Sequence, residues 1–174
     1  MQKKMILSRQ EIQARVKALG RVISGDYQGR KLVLIGVLNG AFIFMADLAR
    51  AINLELEVDF IRVASYGQSA SSSGKISLSK DVEMDMAGKD VLLVEDIIDS
   101  GRTLAYLKDY FRQYRPASVK ICALIDKKER REVEIETDYV GFDVAEGFLV
   151  GYGLDFAEQY RHFPDVYHLE NPDD

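Results

Sequence analysis

The sequence predicts an α/β fold, a doubly wound and mainly parallel sheet flanked by helices. Three observations carry this expectation. Short apolar, β-branched runs recur along the chain, as strands buried on both faces require. Segments with apolar residues at spacings of three and four alternate with them, the mark of amphipathic helices in β-α-β units. At 174 residues, 47 % hydrophobic and 29 % charged, with 13 Gly and 3 Pro, the chain has the length and composition of one globular core, not of a low-complexity or disordered polymer.

The elements follow in order. Ser8-Arg9-Gln10-Glu11 has capping-box spacing, and Ile12, Val16 and Leu19 fall on one face behind it, so a helix starts there and fades near Gly25. Lys31–Val37 is a buried strand that Leu38-Asn39-Gly40 breaks. Phe42, Met45, Leu48 and Ile52 trace a second helix, and Leu56–Ala64 the next strand, which makes a parallel crossover unit. Ser65–Gly74 is small and polar, too short for a domain linker, and reads as a mobile excursion. Asp90–Ile98 is a strand, Leu104, Leu107, Phe111 and Tyr114 mark a helix closed by Pro116, and Val119–Ile125 is a further strand. Shorter strand-like pieces, Asp138–Val144 and Phe148–Tyr152, complete the pattern.

Charge narrows the function classes. The formal net charge is −5, and from Glu132 to Asp174 there are 12 acidic residues against the lone Arg161, leaving the preceding part net basic. Such a chain is a poor default binder of nucleic acid or anionic membrane, yet its basic part has room for a local anion site. Cys122 is the only cysteine, which fits a reducing compartment. The first residues turn polar before an apolar stretch of signal-peptide length develops, so a cytoplasmic protein is expected. His162 and His168 match no ligand motif and read as structural or solvated.

The chemistry concentrates in Val91-Leu92-Leu93-Val94-Glu95-Asp96-Ile97-Ile98-Asp99-Ser100-Gly101-Arg102-Thr103-Leu104. A buried strand delivers two carboxylates at its C-terminal end, where open α/β sheets bind ligands. Ser100, Gly101 and Thr103 bring backbone N–H groups, hydroxyls and a helix N-terminus together as a phosphate nest, with Arg102 adding charge. Glu95 and Asp96 suit vicinal hydroxyls or a divalent cation. Taken singly, Asp99 or Ser100 reads equally as a helix N-cap, and Glu95-Asp96 as a solvated strand end. Together, a diol site beside a phosphate site describes a ribose phosphate. The nucleotide-triphosphate P-loop does not fit, because Asp96 stands where that motif needs its first glycine, and no dinucleotide-type glycine pattern follows the strand.

Val94-Glu95-Asp96-Ile97-Ile98-Asp99-Ser100-Gly101-Arg102-Thr103 resembles the phosphoribosyltransferase signature and is similar to that of the 6-oxopurine branch, the hypoxanthine-guanine phosphoribosyltransferases. Val37–Phe42, Ser65-Tyr66-Gly67, Leu124–Lys127 and Val140–Asp155 contain further family blocks in family order. The resemblance implies one type I phosphoribosyltransferase domain over residues 1–174, with a small hood formed by the terminal segments. It also implies transfer of the 5-phosphoribosyl group from phosphoribosyl pyrophosphate to hypoxanthine and/or guanine, with Mg2+ and no nucleic acid or membrane partner, by a homodimer or homotetramer.

Residue by residue, the resemblance implies that Glu95 and Asp96 hold the ribose hydroxyls and magnesium, and that Asp99 lies beside the purine imidazole ring as general acid/base. Ser100 through Thr103 would cradle the 5′-phosphate. Lys127 would donate to the purine 6-oxygen, Phe148 would stack on the base and the Leu149 backbone would read its edge. Asp155 would ligand a second magnesium and Arg161 would reach the pyrophosphate, as would the backbone at Asn39 and Gly40, where the entering peptide is often cis. The family often has a basic residue at the position of Asn39. Ser65 and Tyr66 would bind substrate at the entry to a Ser-rich lid that excludes water. Without the resemblance, Lys127 reads as part of the solvated run Lys127-Lys128-Glu129-Arg130-Arg131, and Phe148 as core. A xanthine-preferring enzyme and a regulatory RNA-binding protein of the same fold are the alternatives.

Overall fold

In the computed structural model, residues 2–65 and 76–172 are described. Ser8 acts as its spacing predicts. Its Oγ accepts from the Glu11 N–H while the Glu11 carboxylate accepts from the Ser8 N–H, closing a capping box at the head of α1 (Arg9–Asp26). β1 (Gln2–Leu7) precedes it. The next apolar run is β2 (Leu32–Leu38), followed by α2 (Phe42–Ala51) and β3 (Leu56–Ser65), which lies parallel to β2. β4 (Ile76–Lys80) returns antiparallel along β3. β5 (Asp90–Ile98), α3 (Arg102–Tyr110), β6 (Ser118–Lys127) and β7 (Tyr139–Val144) complete a six-stranded sheet of order β4-β3-β2-β5-β6-β7.

Continuous apolar runs are explained by what covers the sheet. Along β2, Leu32 and Leu34 pack with Ile12 and Val16 of α1 and Phe44 and Leu48 of α2, whereas Val33 and Ile35 join Leu104 and Leu107 of α3. Both faces are therefore buried, and the fold is doubly wound. Each fully buried Leu, Ile or Val contributes about 1.5–3 kcal/mol relative to an exposed one. This rigid slab aligns the C-terminal ends of β2, β5 and β6 along one edge, which carries Asn39, Glu95 to Asp99, and Lys127.

Above that edge lies a second, three-stranded antiparallel sheet, β1-β9-β8, made from the two ends of the chain, with β8 at Phe148–Val150 and β9 at Val166–Glu170. It is the hood. β1, β4 and β9 are strands beyond those expected from the sequence, although Ile76-Ser77-Leu78-Ser79-Lys80 alternates apolar and polar residues as a strand does. The first four residues of β1 are exposed and have no alternation, so only pairing to a distant segment makes them a strand. Glu170, close to the C-terminal end of the sequence, pairs with Gln2. The helix expected to reach Tyr114 ends at Tyr110 and tightens into a 3-10 turn over Phe111–Tyr114, and Arg115 at φ 52° ends it ahead of Pro116. The strand expected to reach Tyr152 stops at Val150, where Gly151 and Leu154 close a tight turn. Among the described residues no helix is long and apolar enough to cross a membrane.

Candidate active site

β5 carries Glu95 and Asp96 to the sheet edge as a buried pair, each 8 % exposed. They are not a solvated strand end. The Asp96 N–H donates to Glu95 Oε1 at 3.1 Å, and the Ile97 N–H donates to Asp96 Oδ1 at 2.7 Å. Burial pushes both carboxyls above the usual carboxylate range, Glu95 well above it because the Asp96 charge adds to the effect. On Asp96, hydrogen bonds and the nearby Arg161 guanidinium oppose the rise.

A raised carboxyl holds a proton in the folded state that the unfolded chain has already released, so stability falls as pH rises from the ordinary carboxylate range to the raised folded value. Thermal melts from about pH 4 to pH 8 are expected to show this slope in the native chain and a flatter one in Glu95→Gln. The difference between the two curves is the test; Asp59 and Asp81, held below their ordinary value, add the opposite slope to both proteins only below about pH 4. Identical slopes would remove Glu95 as the source.

The loop after β5 is built for an anion. Gly101, at φ 83°, is the N-cap of α3, and no side chain caps that end. Neither Asp99 nor Ser100 is the N-cap, and the Ser100 hydroxyl engages only the Arg102 N–H, so the rest of the first-turn N–H groups and the positive end of the helix dipole face the loop, as anion sites require. Ser100 Oγ accepts from the Arg102 N–H at 3.3 Å. A cavity of about 100 Å³ lies here, lined by residues that include Glu95, Asp99, Ser100, Gly101 and Thr103, a volume on the scale of one phosphate group. Arg102 points its guanidinium to Glu132, away from a free role.

Lys127 ends β6 and is 5 % exposed, which overturns the solvated-run reading. Its Nζ donates to the Gly147 carbonyl at 3.1 Å and stands 3.5 Å from Asp99 Oδ2 and 3.9 Å from Glu129 Oε2. Among the described residues Asp99 Oδ1 is buried and has no hydrogen-bond partner. Phe148 is half-buried rather than core, with its ring edge-on to Phe156 at 5.4 Å. Leu149 sits opposite His168 in β8, an edge of the hood sheet where, among the described residues, backbone groups on the outer side have no strand partner. A larger cavity of about 580 Å³ opens against Phe148 and Gly147 on the β9 side.

On the other flank, the Leu38–Asn39 peptide is cis. Gly40 and Gly153 bring the hood onto the sheet edge. A Cβ on Gly153 would strike the Gly40 carbonyl, and a Cβ on Gly40 would strike the Asp96 carboxylate, so neither position has room for a side chain. Arg161 donates to the Gly153 carbonyl at 2.7 Å and pairs with Asp155 at 3.2 Å and Glu158 at 3.3 Å, while its Nε is buried without a partner among the described residues. Asp155 Oδ2 also accepts from the Glu158 N–H. Ser65 ends β3, and Tyr66 and the Ser-rich stretch lie outside the described residues.

Glu129 and Arg131, which the sequence presents as part of a solvated charge run, belong to the site. Glu129 accepts from the Gly147 N–H at 3.0 Å, and Arg131 reaches Asp99, Asp126 and Lys127. Nothing in a run of five charged residues marks which of them turn inward.

A phosphoribosyl transferase domain matches residues 2–157. The chain is 48 % identical over 163 residues to the hypoxanthine-guanine phosphoribosyltransferase of Bacillus subtilis, covering 94 % of this chain and 91 % of that one. It is equally similar to a bifunctional TilS/HprT protein of Listeria monocytogenes, of whose length it spans 25 %. A crystal structure of a hypoxanthine phosphoribosyltransferase from Staphylococcus aureus superposes with a TM-score of 0.92 at 38 % identity, covering 97 % of this chain and 91 % of that one. The buried carboxylate pair, the uncapped helix end behind it and these likenesses together place the chain in the phosphoribosyltransferase family, among the hypoxanthine-guanine phosphoribosyltransferases.

Proposed function

We infer that the chain works in purine salvage, transferring the 5-phosphoribosyl group from phosphoribosyl pyrophosphate to hypoxanthine and/or guanine with release of pyrophosphate. The observation that carries this reading is the buried Lys127 ammonium 3.5 Å from Asp99, on the same edge as the uncapped N-terminus of α3. A buried donor selects a 6-oxygen, because the 6-amino group of adenine would leave the ammonium facing another donor.

In this reading the Ser100–Thr103 loop holds the 5′-phosphate and Glu95 and Asp96 hold the ribose hydroxyls. The bond from the ribosyl anomeric carbon to pyrophosphate breaks with its electron pair on the leaving oxygen. A purine ring nitrogen bonds to that carbon, and the imidazole-ring proton passes to the Asp99 carboxylate. Phe148 and the outer edge of β8 hold the base in line, and Asn39, Gly40 and Arg161 flank the departing pyrophosphate. The residues present suit magnesium: Glu95 and Asp96 are hard oxygen donors held together by burial, and Asp155 is a candidate for a second ion. Bound there, it supplies charge neutralisation of the leaving group. The same reading has the protein working in the cytoplasm as a homodimer or homotetramer.

The test is a spectrophotometric assay with phosphoribosyl pyrophosphate, magnesium and each of hypoxanthine, guanine, xanthine and adenine, with a control lacking magnesium. Magnesium-dependent turnover of hypoxanthine or guanine is expected, with adenine used at a far lower rate. Turnover of xanthine alone would move the base specificity, and no turnover with any base would overturn the reading.

A further inference from the structure

We propose that Arg131 is a positioning residue that sets the separation between the Asp99 carboxyl and the Lys127 ammonium; the proposal rests on the roles just given to those two groups. Its guanidinium forks across the back of the site. Nε donates to the Asp99 carbonyl at 3.0 Å, and Nη2 donates to the Lys127 carbonyl at 3.3 Å and pairs with the Asp126 carboxylate. One planar group thus ties the β5–α3 loop to the end of β6, at the two residues whose side chains meet on the substrate side.

The surroundings leave Arg131 little freedom. Its side chain and that of Asp126 are each 10 % exposed. The two residues after it continue the attachment, since the Glu132 and Val133 N–H groups both donate to the Ser100 carbonyl at 3.0 Å. The strap lies so close that a Cβ on Gly101 would meet the Val133 carbonyl at 2.5 Å and Arg131 Cδ at 3.2 Å. Residues 131–133 therefore back the phosphate loop directly, and Arg131 extends that support to the base side.

A plain buried ion pair would need only a cation opposite Asp126. The geometry requires more, because three acceptors on three residues are met from one rigid plane. A lysine ammonium, whose donors radiate from one atom, does not span them. Arg131→Lys and the charge-balanced double variant Arg131→Met/Asp126→Asn separate the two roles, the second leaving no buried charge uncompensated.

The readouts are kcat, the KM for each substrate, the ratio of kcat/KM for hypoxanthine over adenine, and the unfolding temperature. Both variants are expected to fold, to lose about tenfold or more in kcat and in the hypoxanthine-to-adenine ratio, and to keep the KM for phosphoribosyl pyrophosphate within about twofold. A structural role lowers the unfolding temperature or the yield of folded protein and leaves the ratio alone, and that result would overturn the proposal. Lys127→Ala is run beside them. If it lowers the ratio and the Arg131 variants do not, only the role of Arg131 falls; if Lys127→Ala leaves the ratio unchanged, the reading of Lys127 falls and the proposal with it.

Discussion

Asp99→Asn is expected to lower kcat by about 10²- to 10⁴-fold, the usual reach of a positioned general acid or base, at a nearly unchanged KM for phosphoribosyl pyrophosphate. The substitution is nearly isosteric, and the loop keeps its other attachments. The Asp99 carbonyl still accepts from Arg131, and the Ser100 carbonyl from Glu132 and Val133. What is lost on the fold side is one ion pair to Lys127, in which the Asp99 side chain is 39 % exposed. Such a contact contributes at most about 1 kcal/mol, too little to unfold the chain. What is lost on the chemical side is the acceptor, since an amide does not take the imidazole-ring proton. Single-turnover and steady-state rates with hypoxanthine make the measurement. Parallel losses in kcat and in affinity for phosphoribosyl pyrophosphate would make Asp99 a substrate-binding residue instead.

The parts of this molecule legible in the sequence are those whose signal is local. The capping box at Ser8 and Glu11 encloses its own partners, and the apolar runs of β2, β5 and β6 state their burial directly. The segment from Glu95 to Thr103 is equally self-contained, because strand, loop and helix N-terminus follow one another without a break. The hood is the opposite case. Lys3 is paired with Leu169, a contact made across nearly the whole chain, and the exposed residues of β1 bear no periodic trace of it. The site shows the same division. Arg131 looks like its charged neighbours until the fold brings Asp126 and the Asp99 carbonyl to it. Gly153 and Gly40 look like turn residues, yet each is required by a backbone or carboxylate arriving from elsewhere.

Lys127→Ala is expected to reduce kcat/KM for hypoxanthine by about 10- to 100-fold and to leave adenine, already poor, little changed, so that discrimination collapses by the same factor. The size follows from a charge-assisted hydrogen bond, worth about 1.5–3 kcal/mol, being lost to a substrate whose 6-oxygen then has no donor. Lys127→Gln sharpens the argument. Its amide offers an N–H donor and a carbonyl acceptor from one group, so it accommodates either a 6-oxo or a 6-amino purine. The adenine rate should therefore rise above that of Lys127→Ala while the hypoxanthine rate partly recovers. The fold tolerates both changes, because the carboxylates released from Lys127 are not stranded. Asp99 and Glu129 have side chains 39 % and 42 % exposed and are able to take up water, while the buried Asp126 keeps Arg131. Competition between hypoxanthine and adenine in one reaction reads the ratio without reference to the amount of active enzyme. A ratio that stays at the native value in Lys127→Ala would assign base selection to another group, and the outer edge of β8 at Leu149 is the next place to look.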